Sequence, residues 1–179
     1  ISLGLVGSEM CIRDRMHSPH FGIDESGKGD YFGPLVVAGV YVDATLAQHY
    51  TKVGVMDSKK ITTAGKIREL AERIRSAPGA AYYVLQLSPL KYNELYAQFN
   101  NLNHMLAWAH ATVIEQLLAK VPSCPRTLSD QFANELVLKR AVAQKKINIQ
   151  LQQRTKGESD IAVAACLLYT SDAADEEDS

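Results

Sequence analysis

The chain has 179 residues, of which 46% are apolar, and it carries 19 Lys and Arg against 20 Asp and Glu, a formal net charge of −1. This length suits one ordinary domain, and the apolar share can form a packed core. No apolar stretch approaches the ~18 residues of a transmembrane helix, and three cysteines are too few for a disulfide framework. The composition therefore excludes membrane-spanning proteins and small disulfide-rich folds.

The two ends of the chain differ from the rest. Residues 1–15 and the acidic stretch 167–179 share no pattern with the body and resemble translated sequencing-adapter read-through. We expect a non-native leader at 1–15, a domain at 16–166 and a non-native tail at 167–179, with neither end in the core. A signal peptide and a solvated acidic tail are the alternatives. The body alone holds 17 basic and 13 acidic residues, a net charge of +4 that is compatible with a nucleic-acid partner.

Cysteine usage bears on the compartment. Cys11 and Cys166 lie in or beside the deviating ends, which leaves Cys124 effectively alone. A lone cysteine indicates a reducing, cytoplasmic setting rather than a disulfide or zinc framework.

The first half of the chain predicts strands with two helices. His20–Asp24 and Leu35–Val42 are strand-like runs joined by a glycine-rich connection. Thr62 or Thr63 can cap a helix that Pro78-Gly79 ends, and Ala80–Leu87 reads as a third strand. Ser88-Pro89 then opens a short helix.

The second half alternates helix and strand. A long helix runs from Asn103 to Lys120, and we interpret its His104, Trp108 and His110 as core or boundary packing residues, not ligands. A fourth strand, Arg126–Ser129, delivers Asp130 at its carboxyl end, where open α/β sheets usually bind ligands. Helix Leu136–Val142 and strand Ile147–Leu151 follow, and the chain from Thr155 leads into a helix of small residues, Ala162–Ala165. This order predicts an α/β fold with a mixed central sheet flanked by helices.

Two adjacent carboxylates, Asp24 and Glu25, precede the turn Gly27-Lys28-Gly29. Neighbouring strand side chains face opposite ways, so both could serve one centre only where the strand ends and bends at Ser26-Gly27. Carboxylates suit hard divalent cations, while glycine amides and a lysine suit phosphate. A solvated surface turn explains the short motif equally well.

The longer run GIDESGKGDYFGPL closely resembles the signature of the type 2 ribonucleases H, and its Lys28 with Asp30–Leu35 is similar to the ribonuclease HIII group of that family. Further matches follow in the same order, over roughly residues 19–165: Asp57–Lys60, Asn100–Ala111, Leu128–Phe132 and Thr155–Ala165.

The resemblance implies a ribonuclease H-like fold and two-metal hydrolysis of the RNA strand in RNA/DNA hybrids, with two Mg²⁺ or Mn²⁺ ions. It also implies a fragment that lacks C-terminal helices and an N-terminal substrate-binding domain. The implied catalytic acids and metal ligands are Asp24, Glu25, Asp130 and Glu158. Asp160 is the rival of Glu158, and we expect it to face solvent.

The same resemblance implies that the glycine turn reads the 2′-hydroxyl, the group that distinguishes RNA from DNA. The implied substrate-binding residues are Gly27, Lys28, Gly29, Tyr31, Ser58, Lys59 and Lys60. No pattern indicates an obligate protein partner. Two alternatives remain: a ribonuclease HII-type enzyme that incises at single embedded ribonucleotides, and an inactive hybrid-binding module.

Overall fold

The computed structural model describes residues 18–28, 33–55, 61 and 63–175, without the side chains of Ala64, Glu158 and residues 171–175. Within these ranges the strands are β1 (His20–Ser26), β2 (Leu35–Val42), β3 (Tyr82–Leu87), β4 (Arg126–Asp130) and β5 (Gln150–Arg154). The α-helices are α1 (Ala44–Val53), α2 (Ala64–Arg75), α3 (Pro89–Phe99), α4 (Leu102–Lys120), α5 (Glu135–Gln144) and α6 (Ile161–Asp175). A short 3-10 helix, Gly157–Ser159, precedes α6.

One mixed sheet with the strand order β3-β2-β1-β4-β5 organises the fold. β1 pairs antiparallel with β2, and β2 antiparallel with β3. β4 lies parallel to β1 on one side and parallel to β5 on the other. The predicted α/β architecture with a mixed sheet is therefore confirmed.

Helices cover both faces of the sheet because the side chains of β1 and β2 alternate between two cores. Phe21, Ile23 and Val37 pack on the α4 side. Ala38 and Val40 pack on the other side, against α1, α2 and α6. No helix in the described part of the chain is long and apolar enough to cross a membrane.

Two elements differ from the sequence prediction. Helix α1 was not predicted, although the Asp43 side chain accepts a hydrogen bond from the Leu46 amide and Gly54 ends the helix in the left-handed region, both ordinary cap signals. The last strand was predicted three residues early, at Ile147–Leu151. Ile147 and Ile149 pack against the core from the preceding connection, and the polar residues 150–154 form the edge strand instead.

The expectation that residues after 166 stay outside the core is wrong. α6 continues to Asp175, and Leu168, Tyr169 and Thr170 are buried. The Tyr169 ring stacks on Tyr82 at 4.9 Å between centroids, and the Arg75 guanidinium lies 5.2 Å from the Tyr169 ring centroid. The leader predicted at 1–15 lies outside the described residues.

Asp160 is a structural residue, and the expectation that it faces solvent is wrong. Its side chain is buried, and the residue is 4% exposed. Its Oδ1 lies 3.0 Å from His20 Nε2 and accepts hydrogen bonds from the Ala162 and Val163 amides at the start of α6. Burial alone would raise the pKa of Asp160, but His20 and these amides outweigh it and hold the pKa below its ordinary value.

α6 crosses β1 at Gly22, and a Cβ at this position would clash with the backbone and Cβ of Ala162. We predict that Gly22→Ala destabilises the fold by about 1–3 kcal/mol or more, because helix and strand must move apart. The matched control is Gly65→Ala in α2, where a Cβ meets no atom within 4 Å. Urea unfolding followed by circular dichroism compares the two. Equal stability of the two variants would contradict the close approach.

We predict that Asp160→Asn lowers the free energy of unfolding by about 1–3 kcal/mol, because a charged cap of α6 and partner of His20 is lost. The folded-state pKa of Asp160 lies below the unfolded value of about 3.9, so its stabilisation is present above that value and is lost as pH falls through the folded pKa. The stability difference between wild type and variant should therefore shrink below about pH 4. A difference that grows on acidification would contradict this reading.

Candidate functional site

The two adjacent acids of the glycine motif lie inside β1, not beyond its end. Asp24 pairs with Ala38 and Glu25 with Val37 of β2, and the strand continues to Ser26. The bend predicted at Ser26-Gly27 falls where β1 ends, and Gly27 has a φ of 79° there. Because successive strand side chains alternate, Asp24 faces the α6 side and Glu25 the α4 side. Asp24 is 6% exposed, and its Oδ1 accepts a hydrogen bond of 2.8 Å from the Glu25 amide.

Asp130 ends the neighbouring parallel strand at the same level as Asp24. The register pairs Ile23 with Ser129, so the next residues of both strands, Asp24 and Asp130, lie side by side and share a face. The Gly157 amide donates a hydrogen bond of 2.9 Å to Asp130 Oδ1. This contact brings the backbone of the 3-10 helix, and with it residue 158, to the same edge of the sheet.

Asp130 is not a helix cap. The cap of α5 is Asn134, whose side chain accepts a hydrogen bond from the Leu136 amide. The carboxylate of Asp130 is thus not used to start the helix that follows it.

Glu25 has a partner that the sequence prediction missed. His110 of α4 is fully buried, and its Nε2 lies 3.0 Å from Glu25 Oε2, while its Nδ1 lies 3.1 Å from Ser129 Oγ. The prediction that His110 is a core residue is confirmed. The apolar pattern of α4 was enough to predict that His110 is buried. The same pattern carries no information about a partner 85 positions away in the sequence. His104, by contrast, is exposed, and Trp108 packs against Phe99 with ring centroids 6.0 Å apart.

The glycine turn is described as far as Lys28. Gly27 has a φ of 79°, and a Cβ there would overlap the carbonyl oxygen of Pro34. Gly27 is therefore required by the close return of the chain, and it places the exposed Lys28 beside the end of β1. The remaining predicted substrate contacts, Gly29, Tyr31, Ser58, Lys59 and Lys60, lie outside the described residues.

The donor set at this edge consists of oxygen atoms. Asp24 and Asp130 supply two carboxylates on one face, a composition that hard cations such as Mg²⁺ and Mn²⁺ prefer. Among the side chains that the structure describes, no three His, Cys, Asp or Glu are grouped closely enough to hold a metal ion. The side chain of Glu158, the predicted fourth acid, is outside that description.

Comparisons with known proteins agree with this architecture. The chain is 46% identical over 156 residues to ribonuclease HIII of Protochlamydia amoebophila (strain UWE25), an alignment covering 87% of this chain and 50% of that protein. The crystal structure of Bst-RNase HIII in complex with Mn²⁺ superposes with a TM-score of 0.80 at 26% identity, covering 90% of this chain and 53% of that one. RNase HII in its PCNA complex from Archaeoglobus fulgidus gives 0.71 at 29%, covering 88% and 72%.

The chain thus spans about half the length of the curated ribonuclease HIII relative that it matches. The sequence model of the family described as Ribonuclease HII matches residues 21–167, which include β1 from Phe21 onward, β4 and the start of α6. This match covers most of the chain and contains Asp24, Glu25 and Asp130. The chain belongs to the ribonuclease HII family.

Proposed function

We propose that this chain is the catalytic domain of an endoribonuclease of the ribonuclease HIII type, which hydrolyses the RNA strand of RNA/DNA hybrids with the help of two divalent cations. The proposal rests on one observation: Asp24 and Asp130 lie side by side near the carboxyl ends of two adjacent parallel strands. The matched relatives named ribonuclease HIII, one of them crystallised with Mn²⁺, support it.

Asp24 and Asp130 are the residues that would hold the cations, with Glu25 and Glu158 as the further acids of the set. Bound Mg²⁺ or Mn²⁺ would supply an activated water and stabilise the charge that develops on the phosphate. The burial of Asp24 limits competition from bulk water. The Gly157 amide keeps one oxygen of Asp130 in a fixed direction, so that little reorganisation is needed when a cation binds.

Substrate recognition is proposed for the turn that follows β1. The left-handed conformation of Gly27 lets the backbone pass close to Pro34 and exposes the Lys28 ammonium at the edge that holds the acids. A backbone amide in this turn can contact a 2′-hydroxyl without a side chain in between, and Lys28 can contact the adjacent phosphate. Gly29, Tyr31, Ser58, Lys59 and Lys60 complete the proposed contacts.

A cytoplasmic location is part of the proposal. Cys124 and Cys166 are both buried free thiols in the described part of the chain. Unpaired thiols are typical of proteins kept in a reducing compartment.

We predict that Asp24→Asn lowers the cleavage rate of an RNA/DNA hybrid by about 10²-fold or more, because a cation ligand is lost at nearly constant volume. Cleavage of a labelled hybrid in Mn²⁺ is compared with Glu72→Gln, which removes an exposed carboxylate from α2. A DNA duplex of the same sequence should resist cleavage by the wild type and by both variants. A folded Asp24→Asn variant that cleaves at the wild-type rate, or a wild type that cuts the DNA duplex equally well, would contradict the proposal.

The fourth acid is tested separately. We predict that Glu158→Gln lowers hybrid cleavage by about 10²-fold or more. Asp160→Asn should change cleavage little at a temperature where both variants stay folded, because the Asp160 carboxylate is engaged by His20 and α6. Circular dichroism under the assay conditions verifies folding. The reverse pattern would move the fourth ligand to Asp160, and no effect of either change would place it elsewhere.

A further inference from the structure

The ion pair between Glu25 and His110 lies apart from the two aspartates. Glu25 faces the α4 side of the sheet, where its side chain is 9% exposed and His110 is completely buried. A glutamate side chain has three rotatable bonds and loses rotamer freedom when it is fixed. A buried carboxylate also requires a donor. Within the described residues, His110 meets that requirement at one carboxylate oxygen, Oε2, so the other oxygen remains chemically able to bind a cation.

The proton on the imidazole can be placed by the chemistry of its partner. An ionised carboxylate only accepts hydrogen bonds, so the Nε2 of His110 donates to Glu25. Nδ1 contacts the Ser129 hydroxyl, which also lies 2.9 Å from the Asp130 carbonyl oxygen. The Phe132 ring packs against the imidazole, with ring centroids 4.6 Å apart and an angle of 48° between the ring planes.

These contacts connect Glu25, through one side chain, to the residue that precedes Asp130. His110 joins Glu25, near the end of β1, to Ser129, the residue directly before Asp130 in β4. Hydrogen bonds of this kind orient carboxylates that bind cations, and their loss typically weakens affinity by ~10–100-fold. His110 thus contacts a carboxylate of the candidate site, whereas the buried His20 contacts the structural residue Asp160.

We propose that His110 is a positioning residue of the cation site, holding Glu25 in the orientation in which it contributes to Mn²⁺ or Mg²⁺ binding. This inference rests on the proposed function, because it assumes that Glu25 takes part in that site. His110 itself does not touch the substrate or the cation.

Three substitutions separate positioning from packing. His110→Gln retains an amide donor near the place of Nε2 and so keeps the bond to Glu25, whereas His110→Asn reaches only the place of Nδ1 and keeps the contact with Ser129. His110→Ala removes both. His104→Ala, an exposed histidine on the same helix, is the control. Thermal unfolding shows which variants are folded.

The readout is Mn²⁺ binding by isothermal titration calorimetry without substrate, followed by hybrid cleavage as a function of Mn²⁺ concentration. We expect His110→Asn and His110→Ala to bind Mn²⁺ about 10–100-fold more weakly, and His110→Gln and His104→Ala to stay near the wild type. Excess Mn²⁺ should restore part of the cleavage rate of His110→Asn. If His110→Ala does not fold, the comparison of Gln with Asn decides.

Equal Mn²⁺ affinity of the folded His110→Gln and His110→Asn variants, whether wild-type or reduced, would overturn the positioning role. If the wild type binds Mn²⁺ and Asp24→Asn does not, such a result defeats this inference alone. A wild type that neither binds Mn²⁺ nor cleaves the hybrid defeats the proposed function and this inference together.

Discussion

The parallel pairing of β1 with β4 is the constraint on which the site depends. β1 is the centre of the sheet, with an antiparallel neighbour on one side and a parallel neighbour on the other. A parallel neighbour places the carboxyl ends of both strands at one edge, which puts Asp24 beside Asp130 although 106 positions separate them. α4 belongs to the crossover that leads from β3 at one edge of the sheet to β4, and it carries His110 to Glu25.

Because strand side chains alternate between the two faces of the sheet, the two adjacent acids of β1 need a helix on each face to surround them. Asp24 and Glu25 are neighbours in β1 and therefore point in opposite directions. α6 closes the Asp24 face through its tight approach to Gly22, with Asp160 and His20 fixing where the helix begins. α4 closes the Glu25 face with a buried imidazole. Stability and site geometry thus share the same contacts, since moving either helix would displace an acid.

Much of the fold could be predicted from local patterns. Three local signals show this: the β-branched run of β2, the Ser88-Pro89 start of α3 and the apolar face of α4. Each of them spans only residues that are near one another in the sequence. β5 was misplaced because an edge strand needs few apolar residues, and its polar run carries no strand pattern. Asp24 and Asp130 were chosen as candidate site residues because each lies in a sequence motif. The roles of Asp160 and His110 could not be predicted, because each depends on a partner, His20 or Glu25, that only the tertiary fold brings within 3.0 Å.

The proposed hydrolysis requires a cation site at the adjacent ends of β1 and β4. The most direct measurement is anomalous X-ray diffraction from crystals of this chain soaked in Mn²⁺. We predict an anomalous peak within coordination distance of the carboxylate oxygens of both Asp24 and Asp130, absent from crystals of Asp24→Asn. Peaks confined to other carboxylates, or an unchanged peak in the variant, would contradict it.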